Sequence, residues 1–229
     1  MSQCRELCRL TRDIVQRGDV ADMLAQSLRL QCGAREARAA AREPCRIMVS
    51  RGGNLMAVFP QQSTTQLIRS ASLNNLPRVL QLIQLGAPLD VGDENGYSAL
   101  DWACDMGHEH VAKALLDGKF EGRGAAVDVR SIEGRTPLMS ASYSGREAVV
   151  RLLLSRGAKQ ELHDIDGETA LHHAVCDGYD CVVAVLCAAP GATAALASRR
   201  RDGFTPLALA IHHGHGACEA VLRAHGAKL

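Results

Sequence analysis

From residue 63 onward, apolar residues fall into short clusters that come in pairs, each pair bounded by glycines. Thr136 is a good helix N-cap, and Pro137 loses nothing at the first helical position by lacking an N–H. Leu138 and Ala141 then share one side of a short helix, and Gly145 can take the positive φ that ends it. The cluster Val149, Leu152 and Leu153 has the spacing of a second helix face. The first cluster recurs after Gly96 (G-Y-S-A-L-D-W-A-C-D-M-G), Gly167 (G-E-T-A-L-H-H-A-V-C-D-G) and Gly203 (G-F-T-P-L-A-L-A-I-H-H-G). A fainter copy, T-Q-L-I-R-S-A-S-L-N-N, starts at Thr65. The opening glycines lie 38, 33 and 36 residues apart. A period near 33 predicts stacked helical repeats.

The first 62 residues do not carry this period. Leu7, Leu10 and Ile14 share a helical face within residues 4–17, and Met23, Leu24 and Leu28 share another within 20–31. Gly18-Asp19 separates them. The pair reads equally as a degenerate capping repeat or as an unrelated helical hairpin. Residues 35–43 are Ala- and Arg-rich and helix-prone up to Pro44. Two β-prone runs around Gly52-Gly53 then read either as a hairpin or as a linker. The expected division is an N-terminal region, 1–62, and a repeat region, 63–229, with repeats of about 63–95, 96–133, 134–166, 167–202 and 203–229.

The motifs of the repeat region resemble those of the ankyrin-repeat family, whose pattern is T-P-L-H, a glycine turn, a second helix and Gly-Ala. The chain keeps Thr136-Pro137-Leu138, Thr169-Ala170-Leu171-His172 and Thr205-Pro206-Leu207. Turns stand at Gly107-His108, Gly145, Gly178 and Gly214-His215, with Asn75 in the first copy. Second-helix cores read Val79, Leu82, Ile83; Val111, Leu115, Leu116; Val149, Leu152, Leu153; Val182, Val185, Leu186; and Val221, Leu222. Gly-Ala endings stand at 86–87, 124–125, 157–158 and 226–227. The resemblance implies an all-α solenoid of stacked helix–turn–helix pairs with short β-hairpin loops. Departures carry expectations too. Asp101, Met139 and Ala208 replace the motif histidine, so looser helix starts are expected there. The stretches D-G-K-F-E-G-R-G and A-A-P-G-A-T are extra residues assigned to surface loops. Cys218 and Val221 are expected on the outward face of an imperfectly capped last repeat.

Composition narrows the function. Hydrophobic residues make up 47% of the 229, aromatics only 3%, and the net charge is +1. No global field attracts nucleic acid or membrane. Nine cysteines without paired spacing fit reduced thiols inside a cell better than a disulfide framework. The uncharged run 181–198 is broken by Pro190-Gly191 and is assigned to a helix and a loop, not to a membrane span.

No nucleophile elbow, phosphate loop or paired-acid motif appears, so catalysis is not expected. His172 with Cys176, and His212 and His215 with Cys218, offer zinc-ligating side chains, but no four converge on one loop. No metal and no cofactor are expected. His163, Asp164 and Asp166 read as a solvated hairpin tip, and Arg199-Arg200-Arg201 as a basic run at another.

What remains is surface. The resemblance implies a cupped binding face, with hairpin tips as fingers and first helices as palm. The fingers are Glu94, Asn95 and Tyr97; Ile132, Glu133 and Arg135; Ile165, Asp166 and Glu168; Arg201, Asp202 and Phe204. The palm is Asp105 and Met106; Tyr143 and Ser144; Cys176 and Asp177; His212 and His213. Three of the seven aromatics, Tyr97, Tyr143 and Phe204, fall on this face, where exposed rings serve as interface anchors. Trp102 joins them, with partial burial. The expected function is non-enzymatic binding of another protein through this groove, by a monomer, without nucleic acid or membrane. The alternative is a regulatory or inhibitory subunit acting through residues 1–62. The cytoplasm is the expected location, with nuclear entry open. The alternative is the peroxisome, because Ala227-Lys228-Leu229 approaches the S-K-L signal.

Overall fold

The computed structural model describes residues 46–49, 55–58, 60–118 and 124–228. The expected helices within 4–17, 20–31 and 35–43, the insertion centred on 119–123, and Leu229 lie outside them. The chain divides between Gln62 and Ser63. In the first unit, β1 (Arg46–Val49) pairs antiparallel with β2 (Leu55–Val58), Arg46 opposite Val58 and Val49 opposite Leu55. Of the two readings of this stretch, the hairpin is the one found.

The second unit stacks helix pairs: α1 (Pro60–Ser72) with α2 (Leu76–Gln84), α3 (Ala99–Met106) with α4 (Glu109–Asp117), α5 (Pro137–Tyr143) with α6 (Glu147–Ser155), α7 (Ala170–Cys176) with α8 (Asp180–Ala188), and α10 (Pro206–His213) with α11 (Gly216–Ala224). A further helix, α9 (Ala192–Ala197), follows α8. The first helices α3, α5, α7 and α10 pack in series, and so do the second helices α2, α4, α6, α8 and α11. Among the described residues, no helix is long and apolar enough to cross a membrane.

Burial follows the repeat register. Val111, Val149, Val182 and Cys218 occupy one row of the second helices and are almost fully buried. Cys218 therefore belongs to the core rather than to the outward face, and Val221 is half-buried one turn away. A parallel row reads Val79, Ala112, Val150 and Val183. Its member in the last repeat is Glu219, paired with Arg223. The first row begins with Arg78, bonded to Gln66 and Gln81. Each row thus carries a charged side chain at one end only, Arg78 in the first repeat and Glu219 in the last, and is apolar along the rest.

The helix starts are tighter than the missing histidines suggested. The Thr136 and Thr205 hydroxyls accept from the N–H of Met139 and Ala208. In the fourth repeat His172 bonds Thr169 and reaches the Phe204 carbonyl of the next repeat at 3.3 Å. Burial holds its pKa down at about 4, so it stays neutral. In the second repeat the Asp101 carboxylate completes a capping box, its Oδ2 accepting from the Ser98 N–H and hydroxyl at 2.9 and 2.7 Å. Its Oδ1 is buried with no partner.

Two further expectations are refined. The A-A-P-G-A-T stretch does turn at the surface, with Ala188, Pro190, Gly191 and Thr193 exposed, but it leads straight into α9, which buries Ala192, Ala195 and Leu196 against α7, α8 and α10, and Gln160 donates to the Pro190 carbonyl at 2.8 Å. In the first repeat the turn falls on Asn74, at φ +55°, while Asn75 caps α2 by accepting from the Arg78 N–H.

Gly145 ends the third repeat's first helix at φ +66°, and a Cβ there would sit 2.6 Å from the Tyr179 ring. Gly214 has a similar φ of +73° with nothing within 4 Å. Gly145→Ala is therefore expected to cost at least about 2 kcal/mol, roughly 4–8 °C in Tm for a chain of this size, and Gly214→Ala about half as much. Equal losses in thermal melts would rule out the Tyr179 contact as the cause.

Asp101 gives a pH-dependent expectation. Burial pushes its pKa up to about 6 from 3.8, the Ser98 hydrogen bonds opposing and the Asp93 charge adding. Because the folded pKa lies above the unfolded one, the group's favourable contribution is complete below pH 3.8 and lost as pH rises through about 6. At neutral pH the ionised form costs on the order of 3 kcal/mol. The stability of Asp101→Asn relative to wild type should therefore rise by about 1–2 kcal/mol between pH 5 and 7.5. A pH-independent difference in denaturant titrations would show that Asp101 ionises without penalty.

Candidate partner-binding groove

Three of the four hairpin tips are built by a side chain three residues before the glycine; at the Gly203 tip Asp202 Oδ1 accepts from the Phe204 N–H instead. Asp93 Oδ1 accepts from the N–H of Asn95 and Tyr97, and its Oδ2 from Trp102 Nε1 at 3.0 Å. Asp164 repeats the arrangement. Its Oδ1 accepts from the N–H of Asp166 and Glu168, and its Oδ2 lies 3.0 Å from His173 Nε2. Ser131 holds the Arg135 N–H in the third repeat. Asp164 is thus not a solvated tip residue. It is buried, and its hydrogen bonds with His173 and the backbone hold its pKa below the carboxylate value despite desolvation, the largest single influence.

The tips are also tied to one another. Ile132 N–H donates to the Asn95 carbonyl at 3.0 Å, Ile165 N–H to Glu133 at 2.9 Å, and Arg201 N–H to Asp166 at 3.0 Å. Main-chain bonds therefore fix the finger positions, whatever side chains they carry.

A continuous chain of side chains crosses the groove. Tyr97 Oη donates to Glu133 Oε2 at 3.2 Å, and Arg135 Nε lies 3.3 Å from the same oxygen. The Arg135 guanidinium stands 5.7 Å over the Tyr143 ring, a cation–π contact. Tyr143 meets His173 edge-on at 6.1 Å. Each ring nitrogen of His173 faces a different carboxylate, Asp164 at 3.0 Å and Glu168 at 3.5 Å. Glu168 is held by Arg200 at 2.7 Å, and Arg200 reaches Asp202 at 2.8 Å. At the C-terminal end, Phe204, His212, His213 and His215 follow in ring contacts of 5.2–5.9 Å.

The residues singled out from the sequence take different parts in this surface. Met106, Ile132, Tyr143 and Ile165 are exposed at 41–73%. His212 and His213 are exposed too. Tyr97 and Trp102 are half-buried and packed edge-on at 6.4 Å. Asp105, half-buried, accepts from Ser144 Oγ at 2.5 Å. Arg135 and Phe204 are half-buried, and Glu168 is largely withdrawn into the network. Sequence reasoning missed His173, Asp164 and Arg200 as parts of it. A signal was present: Asp93 precedes Trp102 by nine residues, as Asp164 precedes His173.

Asp164, Glu168 and His173 each bring a ligand atom within 4.8 Å of the others, and they are the one such group among the described residues. Their contacts describe a charge network. His173 lies between the two carboxylates, and a guanidinium already occupies the far side of Glu168.

The family model for ankyrin repeats (3 copies) matches residues 67–164 and 157–229. The chain belongs to the ankyrin-repeat family, whose repeats are protein–protein interaction modules, generally without enzymatic activity. It is 38% identical over 69 residues to Protein fem-1 homolog A-like of Mus musculus, a match covering 30% of this chain and 10% of that protein. It is 39% identical over 75 residues to an ankyrin repeat-containing protein of Treponema pallidum (strain Nichols), covering 32% and 24%. The matched segments span about a tenth and a quarter of these relatives.

The surface combines exposed side chains with buried polar groups that hold the tips. Asp164→Ala removes three hydrogen bonds to a buried carboxylate and should cost about 2–4 kcal/mol. Tyr143→Ala should stay within about 1 kcal/mol, as a surface change does. Denaturant unfolding of both variants checks the pair, and a reversed order would place Tyr143 in the core.

Proposed function

We propose that the repeat unit binds a partner protein through the concave groove, with Tyr143 as its central anchor. The supporting observation is the setting of that ring, which is 49% exposed yet held between the Arg135 guanidinium and the His173 edge. A large side chain already ordered before binding loses little rotamer freedom on contact, so more of its burial appears as affinity. Tyr97, Trp102 and Met106 extend the surface towards the second repeat, with Ile132 and Ile165 along the tips and Phe204, His212 and His213 at the fifth repeat. Arg135 and Glu168 act by holding the anchors in place. The groove binds as a rigid, pre-formed surface and carries out no chemical step.

Affinity capture from cell extract, with wild type beside a Tyr97→Ala/Tyr143→Ala double variant, tests this reading. The expected result is loss of at least one captured protein while the variant's thermal melt stays within a few degrees of wild type. Capture unchanged by both substitutions would refute groove binding. It would direct attention to the alternative, regulation or inhibition through residues 1–62.

A further inference from the structure

The register of the repeats places four exposed residues at the same point of successive tips, two positions before each glycine: Glu94, Ile132, Ile165 and Arg201. The row reads acidic, apolar, apolar, basic. Ile132 and Ile165 are 73% and 50% exposed. Neither the Glu94 nor the Arg201 side chain makes a hydrogen bond or ion pair among the described residues. Asp166 shares this state, whereas several other tip charges are paired. Glu133 is held by Arg135, Glu168 and Asp202 by Arg200, and Asp164 by His173. The palm row two positions before the turn glycines has the same polarity: Asp105, Tyr143, Cys176 and His212. Two independent rows thus carry an acid at the second repeat and a basic side chain at the fifth, with uncharged side chains between. Asp166, beside Ile165, and Asp177, beside Cys176, are exposed acids that depart from the scheme.

Resting on the groove reading above, we propose that the partner presents one extended segment that is basic at one end, apolar in the middle and acidic at the other. Its basic end lies over Glu94 and Asp105, its apolar side chains meet Ile132, Ile165 and Tyr143, and its acidic end lies over Arg201 and His212. Charge complementarity sets the polarity of docking and disfavours segments with like charges at both ends. The main-chain ladder through Ile132, Ile165 and Arg201 holds the row in place, so the spacing of recognition is fixed. Neighbouring helices pack about 10 Å apart and an extended chain rises about 3.3 Å per residue, which gives about three partner residues per repeat.

The test uses the full chain and fluorescein-labelled peptides with serine spacers and leucine at the fourth and seventh of ten positions. One peptide carries lysine at the first position and glutamate at the last; two others carry lysine at both ends or glutamate at both ends. Fluorescence anisotropy at low salt is expected to show the mixed-charge peptide binding roughly two- to fivefold tighter than either other, the range for exposed ion pairs. The preference should fade at high ionic strength. Glu94→Lys should shift it to the peptide with two glutamates, and Arg201→Glu to the peptide with two lysines. Equal binding of the three peptides, binding of none, or an unchanged preference in both variants would overturn the proposal. Sedimentation at the same concentrations adds one more outcome: a dimer dispersed by Glu94→Lys would assign the row to a second copy and equally overturn it. Capture that still depends on Tyr97 and Tyr143 would leave the groove standing while this charge assignment falls.

Discussion

No helix pair of the described repeats can bury its own apolar face, and everything else depends on that. A pair of short helices offers a flat layer, so the layer becomes a core only when the next repeat covers it. The valine and leucine rows of the second helices are inter-repeat contacts, each fully buried side chain contributing on the order of 1.5–3 kcal/mol. The same dependence explains the ends. Arg78 and Glu219 occupy row positions where an interior repeat carries Val or Ala, and both are engaged with neighbouring side chains. A charge at such a row position would be costly beneath another apolar repeat layer.

The polar seals between repeats follow the same logic with varied chemistry. His108 reaches the Ser72 carbonyl, Arg146 the Asp105 carbonyl and His215 the Cys176 carbonyl, each at 3.0 Å. Tyr179 stands in the equivalent place and covers Gly145 with its ring instead. Three of the four satisfy a carbonyl at the C-terminal end of the preceding repeat's first helix, a group left without a partner inside its own helix. Any residue long enough to cross the gap serves there, and in these four repeats His, Arg and Tyr all follow the turn glycine.

The fold was legible in the sequence because its signals are local. Glycine at a turn, proline after Thr136 and Thr205, and apolar spacing each act within one repeat, and their recurrence multiplies a weak motif into a strong one. What escaped depended on contacts between repeats or on the geometry of substitutes. Asp101 looked like a lost histidine because its carboxylate does the capping without reaching the next repeat. Cys218 looked peripheral until the register aligned it with Val182. The A-A-P-G-A-T stretch was legible as a surface turn through Pro190-Gly191, but the short helix α9 that follows it was not, because it forms only where small side chains such as Ala192 and Ala195 meet three other helices. In the groove, exposed positions were readable from the repeat register. The Asp164–His173 contact was not, because it needs the hairpin folded back on the helix nine residues later.

The bonds that join one tip to the next run through main-chain atoms, and this divides the labour between backbone and side chain. The ladder at Ile132, Ile165 and Arg201 holds whatever residue stands there, except proline, which has no N–H to give. Substitutions along that edge therefore change what the surface displays while leaving what supports it nearly untouched. A surface of this kind can change what it displays by single exposed replacements, each almost neutral for folding. The buried rows behind it accept change only in concert with their neighbours. The two parts of the molecule are thus free to evolve at different speeds.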